Sequence, residues 1–161
     1  MAETIERDLT APLRAAMLAG DAQALRATFA EGVVLRSPVT SRPFRGRGEV
    51  GELMTELLGA IEGIEYTAVV DGGDVQVLAF RMRLRGREVE AVDLLRYDGD
   101  GLVSEIVVHA RPLAGTALFA AVVGPRIARR RGRWRGVVAG AARPLPRMLE
   151  AFDRAGSRVL R

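Results

Sequence analysis

The sequence predicts an α+β fold in which helices pack on one face of a curved antiparallel sheet. Three observations predict it. Apolar residues recur at helical spacing up to Ile61 and at a spacing of two from Ile64 onward. Gly-containing turns at 71–74, 85–88 and 98–101 cut the second half into hairpin-sized strands. Of 161 residues, 48% are hydrophobic, enough to bury a core without any internal repeat.

The elements follow in order. Leu9, Leu13, Ala16 and Met17 share one helical face, so residues 9–19 form an amphipathic helix that Gly20 ends. Asp21 caps a second helix, Ala22–Glu31, which buries Leu25 and Phe29 and takes Gly32 as its C-cap. Val33–Ser37 is a short strand, and Pro38 and Pro43 bracket a loop. Val50, Leu53, Met54, Leu57, Leu58 and Ile61 give the stripe of a third helix, with Glu49, Glu52 and Glu56 on its wet side.

A four-strand meander comes next. Ile64–Asp71 is its first strand. Leu78, Phe80, Met82 and Leu84 then alternate with Ala79, Arg81, Arg83 and Arg85, as in a half-buried strand. Arg85-Gly86-Arg87-Glu88 fits a two-residue hairpin of type II′, with Gly86 at the first central position. That register sets Arg85 against Glu88 and Arg83 against Glu90 on the outer face. On the inner face it sets Leu84 against Val89, Met82 against Ala91 and Phe80 against Asp93. Asp93 is the misfit, a carboxylate on an apolar face. After the turn at Asp98–Gly101, Leu102–Arg111 is the last strand.

The charge divides the chain. All 24 basic residues are arginine. Residues 1–111 hold 13 of them against 18 carboxylates; residues 112–161 hold 11 against Glu150 and Asp153. We therefore expect a domain over 1–112 and a basic helical extension over 113–161. Leu113–Val123 is apolar all round and should end at Gly124-Pro125. Arg129–Arg135 cluster around Trp134. Leu145, Met148, Leu149, Phe152, Val159 and Leu160 then form the apolar stripe of a basic amphipathic helix. Such a helix suits an anionic membrane surface. Too few aromatics interleave with the arginines for nucleic-acid stacking, so nucleic acid is not an expected partner. The N-terminus lacks an apolar leader, and the longest uncharged stretch, Pro112–Pro125, has 14 residues, short of the ~20 that span a bilayer. The expected location is cytoplasmic, with peripheral membrane contact through the tail.

Several chemistries are excluded. The chain has no cysteine and a single histidine, His109. It therefore has no thiol nucleophile, no Cys-ligated metal and no multi-His site within one chain. No P-loop, GxGxxG or HExxH spacing occurs, and neither a metal nor a cofactor is expected.

Two segments carry a resemblance. "AGDAQALRATFAEGVVLRSPVTSRPFRGRGEV" resembles the opening of the SnoaL-like and ketosteroid isomerase-like proteins of the nuclear transport factor 2-like superfamily. "VDLLRYDGDGLVSEIVVHARP" resembles their final hairpin. The resemblance covers about residues 8–112. It implies a cone-shaped, cystatin-like fold, in which the curved sheet wraps three N-terminal helices around an apolar pocket. Members include isomerases, cyclases, dehydratases, epoxide hydrolases and proteins without known chemistry, so the fold alone does not settle the function.

The resemblance also assigns positions. The isomerases' general base falls on Ser37, their tyrosine donor on Leu13 and their protonated aspartate on Asp93. One of three roles is kept. Comparison with the family turns Ile106, Val108 and Ala110 of the last strand inward and leaves His109 outside, where a second subunit or the tail would cover it. The implied pocket is lined from the helices and the loop by Leu13, Met17, Met54 and Ser37. The sheet adds Leu78, Phe80, Met82, Leu95, Tyr97, Ile106 and Val108.

Asp93 is the one candidate catalytic residue. Desolvation should raise its pKa and fit it as an acid, a base or a hydrogen-bond donor. The competing reading is a structural acid bonded to the Tyr97 hydroxyl or to a loop amide. Tyr66 and Tyr97 are either phenols facing the pocket or core aromatics. Three functions follow. The first is binding of a small, mostly apolar molecule with weak or no catalysis. The second is isomerase- or cyclase-type chemistry on a steroid- or polyketide-like substrate, with Asp93 as acid–base. The third is a homodimeric interaction module whose basic tail docks on a membrane or partner.

Overall fold

The computed structural model describes residues 8–130 and the pair Met148–Leu149. Helix α1 (Ala11–Ala19) and helix α2 (Ala22–Ala27) lead into strand β1 (Phe29–Arg36). Strand β2 (Phe44–Arg45), helix α3 (Gly46–Leu58) and four long strands follow: β3 (Ile61–Asp71), β4 (Gln76–Leu84), β5 (Arg87–Tyr97) and β6 (Val103–Arg111). Helix α4 (Leu113–Arg130) closes the described chain. The six strands form one sheet in the order β2-β1-β6-β5-β4-β3, with β1 parallel to β6 and every other pair antiparallel. The architecture is α+β, with the helices on the concave face of an open, curved sheet.

Local chemistry sets the helix ends. Gly20 closes α1 at φ 66°, its N–H reaching the carbonyls of Ala16 and Met17. Asp21 caps α2 by accepting from the amides of Gln23 and Ala24 at 3.0 and 2.9 Å. The second helix is shorter than its spacing suggests. It stops at Ala27, and the chain is already strand at Phe29, because the Thr28 carbonyl accepts from the Val103 amide at 2.8 Å and joins the sheet. Gly32 is therefore not a C-cap. It lies in β1, inside a register shift between Phe29 and Val34. Ile61 likewise belongs to β3 and not to α3.

The β4–β5 hairpin keeps its expected faces with different partners. Its central residues are Arg85 and Gly86, at φ 48° and 74°, the double left-handed conformation of a type I′ turn. This moves the pairing by two residues from the expected type II′ register. Leu84 faces Arg87, Met82 faces Val89 and Leu78 faces Asp93. A shift of two conserves the pleat, so every inward residue stays inward. Opposite charges still meet outside: Arg81 lies 3.4 Å from Glu90, which also reaches Arg111 at 3.3 Å.

The core lies between the helices and the inner sheet face. Leu25, Phe29, Leu78, Leu84, Val89 and Leu95 are fully buried, each side chain contributing roughly 2 kcal/mol of apolar burial. Helix α4 joins this core. It was expected to end before Gly124-Pro125, yet it continues through Pro125. Val122 and Val123 before the proline are buried and Ile127 beyond it packs on the core, so contact on both sides holds the helix across a residue that normally breaks it. The extension is not buried all round either, since Leu113 is 67% exposed. Of the Arg129–Arg135 cluster, Arg129 and Arg130 end α4 and the rest lies outside the described residues, as does the Leu145–Leu160 stripe, Met148 and Leu149 excepted. Among the described residues no helix is long and apolar enough to cross a membrane.

Gly115 lets α4 approach β5. A Cβ there would stand 2.9 Å from Val89 Cγ2 and 3.6 Å from Val89 Cβ. That last separation is within the usual range for a disulfide. In a chain without cysteine, the double variant Gly115→Cys, Val89→Cys should therefore oxidise to a single intramolecular bridge. It should raise stability by about 3 kcal/mol over its reduced form. Non-reducing mass spectrometry and urea unfolding would check this. A failure to oxidise would place α4 elsewhere.

Candidate functional site

A cavity of about 60 Å³ lies inside the cone, between the helices and the inner sheet face. Met17 of α1 and Leu53, Met54 and Leu57 of α3 form one wall. Phe80 and Met82 of β4, Val89, Ala91 and Asp93 of β5, and Ile106, Val108 and Ala110 of β6 form the other. Leu35, Ser37 and Pro38 close it beside the loop, and Thr116 and Phe119 close it from α4. A larger hollow of about 400 Å³ lies on the opposite, outer face of the sheet around His109, Val92 and Arg111. It is shallow and open, and Asp93 does not reach it.

Asp93 sits in the inner wall because β5 alternates strictly. Val89, Ala91, Asp93 and Leu95 point in, while Glu90, Val92 and Arg96 point out. Its cross-strand neighbours are Leu78 on one side and Val108 on the other, both apolar. Part of the residue remains exposed, but its Oδ1 is sealed from solvent and has no hydrogen-bond partner among the described residues. Burial pushes the carboxyl up from 3.8 to about 7.

The other polar groups of the wall are engaged. Ser37 Oγ accepts from the Val39 amide at 3.2 Å, within its own loop. The Thr116 hydroxyl donates toward the carbonyls of Ala110 and Pro112, at 3.4 and 3.3 Å. Asp93 is the polar group of this wall whose oxygen is sealed without a partner among the described residues.

Beyond Phe80 lies a second polar patch. The Tyr66 ring is tilted against Phe80, with centroids 5.7 Å apart, and the Arg14 guanidinium stands 5.8 Å above Tyr66. Arg14 is paired with Asp8, and the Thr10 hydroxyl and amide also donate to that carboxylate. Burial opposes the charge of Asp8, but Thr10 and Arg14 outweigh it and hold the carboxyl below its ordinary value. The Tyr66 phenol is pushed up by burial and by the charge of Asp93. The Tyr97 phenol is pushed up by burial and by Asp8. The Tyr97 hydroxyl is sealed and has no partner among the described residues, so the Asp93–Tyr97 hydrogen bond of the structural reading is not formed.

Met17, Ser37, Met54, Phe80, Met82, Asp93, Ile106 and Val108 are brought together around the cavity. Leu13, Leu78, Leu95 and Tyr97 are not. Leu13, Leu78 and Leu95 are buried in the core and do not border the cavity. Tyr97 lines a separate surface recess with Leu9, Pro12 and Leu102. Conversely, Leu53, Leu57, Val89, Ala91 and Ala110 line the cavity on the helical stripe or strand parity already legible in the sequence. Leu35, Pro38, Thr116 and Phe119 carried no such signal. His109 is exposed on the outer face opposite Val92. No group of three or more His, Asp or Glu side chains is gathered around a metal-sized space among the described residues.

A curved open sheet over helices is the architecture of the cystatin-like α+β class. The SnoaL-like domain profile matches residues 12–109, and the chain belongs to that family. A search of curated protein sequences returns no significant match. Among solved structures, a steroid Δ-isomerase from Pseudomonas aeruginosa is similar at 26% identity and a TM-score of 0.70, covering 76% of this chain and 90% of that one. An uncharacterised protein with a cystatin-like fold from Silicibacter pomeroyi is similar at 20% identity and a TM-score of 0.71, over 75% and 86%. SalBIII, an epoxide hydrolase/cyclase-like enzyme of pyran ring formation in the polyether salinomycin, is similar at 20% identity and a TM-score of 0.57, over 64% and 88%.

The carboxyl of Asp93 should make stability depend on pH in a definite direction. Its folded value of about 7 lies above its ordinary 3.8. Between about pH 4 and 7 the folded protein keeps a proton that the unfolded chain releases. The stabilisation is complete below about pH 4 and is lost as pH rises through 7, by at most ~1.4 kcal/mol per pH unit. Asp93→Asn should flatten that slope and be more stable than the wild type at pH 8. Urea midpoints at pH 5 and pH 8 would check it; parallel profiles for the two proteins would show that Asp93 is solvated.

Proposed function

We propose that the cone binds a small, neutral, mostly apolar molecule and that Asp93 makes the key polar contact. The observation that carries this is the sealed, unpartnered Asp93 Oδ1 in an otherwise apolar wall. A buried polar atom without a partner costs ~1–3 kcal/mol, and a ligand group that bonds to it recovers that cost. A protonated carboxyl donates to a carbonyl and accepts from a hydroxyl, so the ligand carries one such group.

The enzyme reading draws support from the steroid Δ-isomerase and the cyclase-like SalBIII among the similar structures. Proton abstraction needs a base with a pKa near working pH. The base position of the resemblance is Ser37, whose hydroxyl faces its own loop. The donor position is Leu13, which lies outside the cavity. Losing one oxyanion donor costs about 3–4 kcal/mol in well-studied enzymes. Binding with weak or no turnover is therefore the reading we prefer.

The wild type should bind a simple cyclic ketone, and Asp93→Asn should weaken that binding about tenfold without unfolding the protein. Binding should also fade above pH 7 as the donor ionises. Titration calorimetry at pH 6 and pH 8 would check both. A 3-oxo-Δ5-steroid should show little or no isomerisation; robust turnover abolished by Asp93→Asn would promote the enzyme reading, with Asp93 as the base.

The outer sheet face supports a second copy of the chain as partner. Val70, Val77, Leu94 and Val107 form one row across it, and Ala68, Ala79, Val92 and His109 the next. Beyond them Glu65, Arg81, Glu90 and Arg111 alternate in sign, an order that a two-fold related copy can complement. Val92→Glu at the centre of this band should shift the protein from dimer to monomer in sedimentation. A monomeric wild type would overturn the pairing.

A further inference from the structure

The matched family profile ends at His109, but the wall of the cavity does not. Thr116 and Phe119 of α4 complete it. We propose that α4 is a fixed size filter for the site and that Phe119 is the residue that sets the ligand's upper limit. This rests on the reading that the cone binds a ligand.

Three observations carry it. First, the space is small. At about 60 Å³ it exceeds what one water needs by several-fold. It is well below the 300–1,000 Å³ of pockets for drug-sized ligands. Its occupant is a molecule of a few heavy atoms or one small ring, not a fused polycycle.

Second, the sheet alone would leave the space open. Ala91 and Ala110 face each other across β5 and β6, so small side chains form the wall next to α4. Phe119 is the largest side chain that α4 brings to the cavity, and it is half-buried, at the rim with Ser37, Pro38 and Leu57.

Third, α4 is anchored on both sides of Phe119. Before it, Ala114 is buried, Gly115 lies against Val89 and the Thr116 hydroxyl bonds back to Ala110 and Pro112. After it, Val122 and Val123 are buried and Arg126 reaches the Glu56 carbonyl at 3.5 Å. A phenyl ring held between two anchors is a wall and not a swinging lid. The polar end of the ligand is fixed by Asp93 and the reach of its hydrocarbon end by Phe119.

The test uses the full chain with [13C-methyl]methionine, because Met17, Met54 and Met82 all line the cavity. The probes are cyclopentanone and 2-decalone, a one-ring and a two-ring ketone. In the wild type, cyclopentanone should shift these methyl signals and 2-decalone should not. In Phe119→Ala, which frees the space of about one ring, 2-decalone affinity should rise at least tenfold while cyclopentanone affinity stays within about threefold. Phe119→Leu should show the same order with a smaller gain, which keeps the test valid if the alanine variant does not fold. 2-Decalone binding equally well, or equally poorly, to wild type and variants would overturn the filter alone. Silence of both ketones in every protein would overturn the binding reading and the filter with it.

Discussion

The alternation of β5 is the constraint on which the rest depends. Val89, Ala91, Asp93 and Leu95 share one face, and the helices cover that face. A slip of one residue would expose three apolar side chains and bury Glu90, Val92 and Leu94 in their place. The Arg85-Gly86 turn prevents it. Both residues take positive φ, and a type I′ turn has the right-handed twist of the strands it joins. Outside, Glu90 lies between Arg81 and Arg111 and favours the same register. Such exposed pairs contribute little energy, about 0–1 kcal/mol each, so the apolar inner face decides and the charges only agree with it.

Given that register, Asp93 is destabilising where it stands. Its flanking partners across the sheet are Leu78 and Val108, which offer no hydrogen bond. Arg14 does not compensate it, being held by Asp8 and Thr10. The protein carries this cost in the wall of a cavity, in the place where a bound group can relieve it. A carboxyl kept only to support the fold would be expected to meet Tyr97 or a loop amide, as Asp21 and Asp98 do at their own turns. Those two aspartates show what a structural acid looks like in this chain, and Asp93 differs from both.

Much of this was legible because it rests on period. Spacing gives the inward set of β4 and β5, the stripe of α3 and the isolation of Asp93 whether or not the hairpin register is right to the residue, and the resemblance adds the inward set of β6. Hairpin type was harder to read, since Gly86 fits either the first position of a II′ turn or the second of a I′ turn, and the two differ by one step along each strand. Positions set by tertiary contact were not legible. Helix α2 ends early because the Thr28 carbonyl is claimed by Val103, more than seventy residues away. Helix α4 crosses Pro125 because buried valines precede it and Ile127 packs beyond it. The division between cavity wall and solid core also escaped the pattern. Leu78 and Phe80 have the same parity, yet only Phe80 borders open space, because Leu78 is wholly covered by core side chains.

The size of the cavity also bears on the chemistry. At about 60 Å³ it leaves room for only a small molecule beside the acid in its wall. With the carboxyl about half protonated at pH 7 and more so below it, its protonated form gives a carbonyl a hydrogen bond without bringing a charge into an apolar space, whereas an anion would be desolvated there and repelled by the ionised form. An ammonium group would find half a partner, since ionising Asp93 to meet it costs the burial that raised its pKa. On the proposed reading the site would discriminate twice by physical means, for a neutral acceptor or hydroxyl at Asp93 and for small size around it. Neither demand calls for a second catalytic group, in keeping with Leu13 and Ser37 at the other two positions that the resemblance assigns.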